Sequence, residues 1–359
     1  SASGVIRACS NNGRIVNRST YTGGLVEVNE GVMLACYNAG SFPGGRDHVG
    51  GIAGLNRDSG AFAAKTIDGT TYTRATISAC ATTGGSIQGG SFVGGIAADN
   101  HAVIMACAFT GGGDYGTDFG IQAAGDAVGG IVGYNGADGE LIDCSTSGGS
   151  IRGRSLVGGV AGYARSDALS GLTNASRVVG ERYVGGIVGY IPGGEITGCA
   201  NEAGALVAGT GGPAQGSLTL QALTPLGQAD PVRIDYSQLG VGGVTATSAN
   251  LLIANCVNAG SVVGAAPVGG IVGLNPGDLA GCYNFGQVVA SSEGERLAAS
   301  GSALSSIARN GDWAGGIAGR NTGSLSNCYA GARPGVVNHV EGRWYVGGIV
   351  GLNEGGSIA

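Results

Sequence analysis

Lysine is nearly missing from this chain. Lys65 is the one lysine among 18 basic residues, and charged residues of both signs make up only 12% of the sequence. The net charge of −6 is diffuse, without the clustered Lys/Arg that a nucleic-acid partner requires. Histidine is scarce as well. His48, His101 and His339 lie far apart and none falls in His-Glu-x-x-His, which excludes a zinc-protease helix from this segment. No stretch reaches the ~18 consecutive apolar residues of a membrane helix. The opening SASGVIRACS lacks the charge-then-apolar layout of a secretory signal. Helical periodicity is absent throughout.

Glycine is what the chain has in excess, with 76 residues, and hydrophobic residues reach 43%. A glycine pair recurs, beginning at Gly23, Gly50, Gly94, Gly129, Gly158, Gly185, Gly242, Gly269, Gly315 and Gly347. The shortest interval is 27 residues, reached three times. Repeats this short cannot each bury a core, so stacking has to supply one. An aliphatic residue always follows the pair, as at Ile52, Ile131 and Ile271, and a small residue usually comes two later. Five residues after the second glycine stands asparagine, at Asn29, Asn56, Asn100, Asn135, Asn275, Asn321 and Asn353. Asparagine tolerates turn backbone, and stacked amides hydrogen-bond from one coil to the next. This column reads as a corner ladder, the alternative being a polar binding row.

A second column holds every cysteine: Cys9, Cys36, Cys80, Cys107, Cys144, Cys199, Cys256, Cys282 and Cys328. An apolar residue precedes each by three positions, an odd spacing that requires a bend between two inward side chains. Spacings this wide bear no relation to zinc motifs. Leu172 occupies the cysteine slot of one repeat, and leucine can replace neither a metal ligand nor a bridge partner. The column therefore reads as buried free thiols, with cross-coil disulfides and metal as lesser alternatives.

The expected fold is all-β: a parallel β-solenoid of about ten to eleven coils with roughly three short strands per coil, forming a single domain over 1–359. With coils ~4.8 Å apart, the rod is on the order of 50 Å long. Insertions are expected near 57–76, 110–126, 206–240 and 289–311, with a shorter one near 331–343. The largest reads as a lid over a sheet face or edge. The chain begins inside one coil and stops within another, which reads as a fragment of a longer array or a polymer subunit.

The stretches VGGIVGYN…LIDCSTSG (128–148) and VGGIVGLNPGDLAGCYNFGQV (268–288) resemble the GLUG repeat. That repeat occurs in bacterial cell-surface proteins, including adhesin-like proteins and large IgA-cleaving metallopeptidases. The resemblance implies an extracellular or cell-surface location in a bacterium, and a repeat module rather than a particular chemistry.

Binding is sought first in an aromatic column two residues before the glycine pair. Tyr21, Phe92, Tyr183, Trp313 and Tyr345 occupy it, with His48 in the same column and Trp344 adjacent. If the intervening valine points inward, these rings face outward as a stripe suited to sugars or protein hot spots. The alternative is that they pack beneath the insertions. Catalysis finds little support. Asp114, Asp118 and Asp126 are the nearest acidic cluster, read as a solvated loop or a weak calcium site. No catalytic residue, cofactor or metal set is assigned. The leading reading is a non-enzymatic adhesin or stalk binding glycans or host surface proteins. A polysaccharide-degrading β-helix enzyme and an end-to-end self-associating fibre are the alternatives.

Overall fold

A computed structural model describes all residues except 1–3, 17–18, 45, 113–119, 166–167, 212–216, 225–227, 236–239, 249, 266, 294–307, 309 and 333–338. No helix occurs among the described residues. The chain winds as a parallel β-solenoid. One sheet has 11 strands, from Val5–Arg7 to Ser357–Ile358. Two sheets have 10 strands each, and a composite sheet has 17. Every pairing in these four sheets is parallel and joins equivalent positions of adjacent repeats, such as Gly50 with Gly94 and Gly94 with Gly129.

The expectation of three strands per coil needs correction. The glycine-pair segment is two strands on two sheets, as in Val128–Gly129 and Val132–Asn135. The second glycine and the aliphatic residue form the corner between them. A Cβ on Gly186 would lie 2.6 Å from Oδ1 of Asn201, a buried side chain from the other wall. Closer still, it would meet the Gly243 carbonyl of the next coil, and a Cβ on Gly185 would meet the Val188 carbonyl of its own corner, so the pair is glycine because backbone crowds it.

The cysteine bend is real and has a backbone cause. The residue before each cysteine turns the chain through left-handed conformation, with φ between 50° and 54° at Ala8, Ala35, Ala79, Ala106, Asp143, Asn255 and Asn327. Gly198 and Gly281 do the same at 59° and 60°. This turn lets Ile104 and Cys107, for example, both point into the core. Leu172 fills the thiol slot of its coil and is fully buried.

Two amide ladders run along the rod. In the first, Nδ2 of Asn29 donates to Asn56, Asn56 to Asn100, and Asn100 to Asn135, at 2.7–2.8 Å. It resumes from Asn275 to Asn321 and from Asn321 to Asn353. The second lies two residues after the cysteine column, with Asn174 donating to Asn201, Asn201 to Asn258 and Asn258 to Asn284. Thr82, Phe109 and Thr146 interrupt it, and Asn38 Nδ2 and Thr82 Oγ1 are buried there without partners.

Two insertions form antiparallel hairpins. Lys65–Ile67 pairs with Thr70–Tyr72, and Ser217–Leu223 with Ala229–Asp235.

Candidate functional site: an aromatic corner groove

The two strands flanking the glycine pair meet at an angle and leave a groove on the outside of that corner. One wall carries the column two residues before the pair. Its members turn the chain through left-handed backbone, with φ of 55° at His48, 58° at Phe92, 52° at Tyr183, 58° at Trp313 and 51° at Tyr345. The other wall carries the residue before the ladder asparagine, which is Leu55, Asp99, Tyr134, Tyr163 or Tyr190 in successive coils.

The aromatic column is therefore not the outward stripe expected from sequence. Tyr21, Phe92 and Tyr183 are buried, at 7%, 2% and 0% exposure. The left-handed residue breaks the alternation of a strand, so an inward valine does not make its neighbour outward. Trp313 is half-buried, with an enclosed Nε1 that lacks a partner. Trp344 and Tyr345 are exposed, and the Arg343 guanidinium sits 5.5 Å from the Trp344 ring centre.

Across the groove the rings form one continuous stack. Tyr21 meets His48 edge-on at 4.8 Å, and His48 lies flat on Phe92 at 4.4 Å. Phe92 meets the edge of Tyr134, which stacks on Tyr163 at 5.5 Å, and Tyr163 stacks on Tyr190 at 5.7 Å. The hairpin of the largest insertion covers the middle of this stack, as a lid. Leu218, Leu220, Ala222 and Ile234 join Tyr134, Tyr163 and Tyr183 in one apolar cluster. Arg165 fastens the hairpin through Asp230 at 2.8 Å.

A polar knot lies at one end of the stack. Asp99 is fully buried, between Leu55 and Tyr134 in its column. Its carboxylate lies 3.0 Å from Nδ1 of His48 and accepts a 3.3 Å bond from the Tyr21 hydroxyl. Burial and the Asp99 charge push the Tyr21 phenol well above its ordinary range. His101, two residues on, is buried with an unpartnered Nε2, and that burial lowers its pKa. No spacing along the chain joins Tyr21, His48 and Asp99. The one signal was an acid flanked in its column by Leu55 and Tyr134.

The geometry of this knot orients an imidazole by a carboxylate, half of an acid–base arrangement. Four other acids are held by arginines. Arg74 joins Asp58 and Glu140, Arg57 holds Glu30, and Arg154 holds Asp126 through a 3.0 Å bond. Asp126 is thus a buried ion-pair member rather than part of a solvated acidic loop. Asp114 and Asp118 lie outside the described residues. Among the described residues, no three His, Cys, Asp or Glu side chains are grouped to hold a metal.

All nine cysteines are free. Cys36, Cys80, Cys107, Cys144, Cys199, Cys256 and Cys282 are buried, Cys328 is partly so, and Cys9 is exposed. Each thiol faces a backbone carbonyl, as Cys107 does to Ile77 of the preceding coil at 3.4 Å. Hydrogen bonding with the Cys199 thiol, with burial, pushes Cys256 up to about 12, and Cys282 is raised to about 12 chiefly by Cys256.

Residues 124–152 match the family model of the GLUG motif, a span that covers one glycine pair, its cysteine and the strands on either side. No curated protein and no solved structure matches the chain.

Proposed function

We propose that this GLUG-bearing rod is a non-enzymatic repeat module of a bacterial surface or secreted protein, an adhesin or stalk that holds its insertions out for contact with glycans or host proteins. The observation that carries this reading is where the polar side chains go. Most members of both asparagine columns are spent coil to coil, and the buried acids Asp99 and Asp126 are held by His48 and Arg154. That is how a scaffold uses polarity, since a buried polar group must find a partner. Loops on such a scaffold are where binding concentrates.

The test is a screen of the chain against glycans, mucins and matrix proteins, with product analysis on the same samples. Binding without products is the expected outcome. Cleaved substrate overturns the non-enzymatic reading. The oriented His48–Asp99 pair favours an enzyme as the second reading, so Asp99→Asn belongs in the screen. Turnover that the variant abolishes, with unchanged melting, would establish that alternative.

A further inference from the structure

A second set of aromatic residues lies on the opposite wall of the rod, on the sheet that follows the cysteines. There the first residue after the cysteine points outward. From Ala81 to Ala200 this outward column holds only alanine, serine or threonine. In the later coils it becomes Tyr283 and Tyr329, which are register partners on adjacent strands. They are exposed by 43% and 50%. Phe285, two residues beyond Tyr283 and so on the same face, lies between them. Its ring is 6.3 Å from that of Tyr283 at 11°, and 6.1 Å from that of Tyr329 at 52°.

Gly331 seats the last ring. It occupies in its coil the place that Phe285 occupies in the one before, its N–H bonding to Asn284 as that of Phe285 bonds to Asn258. A Cβ there would lie 2.7 Å from Cε1 of Tyr329 and closer still to its hydroxyl, so the ring lies down over bare backbone. The phenol oxygens are also unspent. The Tyr37 hydroxyl meets Thr83, whereas those of Tyr283 and Tyr329 have no protein hydrogen-bond partner among the described residues.

We propose that Tyr283, Phe285 and Tyr329 form a stacking platform for a neutral, extended, equatorially linked polysaccharide. The chemistry selects that occupant. A pyranose with equatorial hydroxyls is apolar on its flat faces and polar at its rim, matching flat rings that carry free hydroxyls. The assignment goes beyond the loop-based reading, because it places contact on a sheet face that involves neither hairpin.

The test is affinity electrophoresis of the whole chain in gels containing soluble glucomannan, xylan or hydroxyethyl cellulose, with α-linked dextran as the contrast. The expected result is retardation by at least one of the first three and less by dextran. Tyr283→Ala with Tyr329→Ala should weaken it about tenfold or more. Gly331→Ala keeps every ring but props Tyr329 up, so it should weaken retardation several-fold at an unchanged melting temperature. Tyr37→Ala should leave it unaltered. Absence of retardation by all three polysaccharides, or retardation unchanged in the double variant, overturns the proposal. So does a double variant whose only change is in sedimentation, since the patch is then a contact between copies of this chain. Loss of binding on removal of the 217–235 hairpin alone would support the loop reading and not this one.

Discussion

The groove and the platform are built from the same materials and meet opposite fates. Both place rings at the spacing of successive coils. In the groove, Tyr134, Tyr163 and Tyr183 are sealed under a hairpin, while Tyr283 and Tyr329 on the opposite wall stand in the open. A repeat column fixes where a side chain starts; the insertion above it decides whether the side chain becomes core or surface. Aromatic content alone would have ranked the groove first as a binding site, and the structure makes it a packing seam.

The sharpest way to break the contrast is to loosen the lid. Leu218→Ala with Leu220→Ala removes two buried leucines that cap the tyrosines. At ~2–5 kcal/mol for each such truncation, the pair should cost about 4 kcal/mol or more. Cleavage after Arg233 by an arginine-specific protease should accelerate in step, whereas removing the platform tyrosines should leave that rate unaffected. A hairpin that stays resistant would mean that its other contacts hold it.

Next in size is the ladder beneath both regions. Asn100 accepts from Asn56, donates to Asn135 and closes its own turn through Ala102. Asn100→Ala strands the Asn56 amide and Asn135 oxygen in the core, costing about 2–4 kcal/mol by thermal or chemical unfolding. A loss below 1 kcal/mol would mean that water replaces the amide.

Alkaline titration separates the two regions without mutation. Burial raises the phenols of Tyr163 and Tyr190, so their neutral forms are favoured in the fold. Their contribution is complete below the ordinary tyrosine value of ~10 and falls as pH rises beyond it. Stability should therefore decline as pH rises above ~10. Phenolate absorbance should show the groove tyrosines ionising last, or only on unfolding. Early ionisation of every tyrosine would contradict the sealed groove.

The smallest expected effect is a gain. Ala106 holds φ at 51° in a corner where Gly198 and Gly281 serve other coils. Ala106→Gly relieves left-handed strain of ~1–2 kcal/mol and adds back part of it as chain entropy, leaving a net stabilisation below about 1 kcal/mol. A lower melting temperature would show that the alanine methyl contributes packing.

Much of this was legible because it is periodic. The parallel solenoid, the asparagine ladder and the bend before each cysteine follow from columns visible in any two repeats. What escaped depends on local backbone or on partners distant in sequence. The left-handed residue at Phe92 and Tyr183 reverses the alternation that pointed those rings outward. The glycine pair reads as the middle of a strand, and proves to be a corner where carbonyls of its own turn and of the next coil leave no room for a Cβ. His48 and Asp99 meet although 51 residues separate them. No spacing rule connects them, and a charge at position 99 does not mark the place by itself, since Arg320 stands in the same column.

The amide ladders carry one more consequence. In both, each asparagine gives its N–H to the oxygen of the asparagine in the next coil along the chain, from Asn29 to Asn135, Asn174 to Asn284 and Asn275 to Asn353. None runs the other way. The rod is thus a vector, with donors looking one way along its axis and acceptors the other. Two such rods could continue each other's ladders in a single sense, head to tail; meeting face to face, they would set donor against donor or acceptor against acceptor.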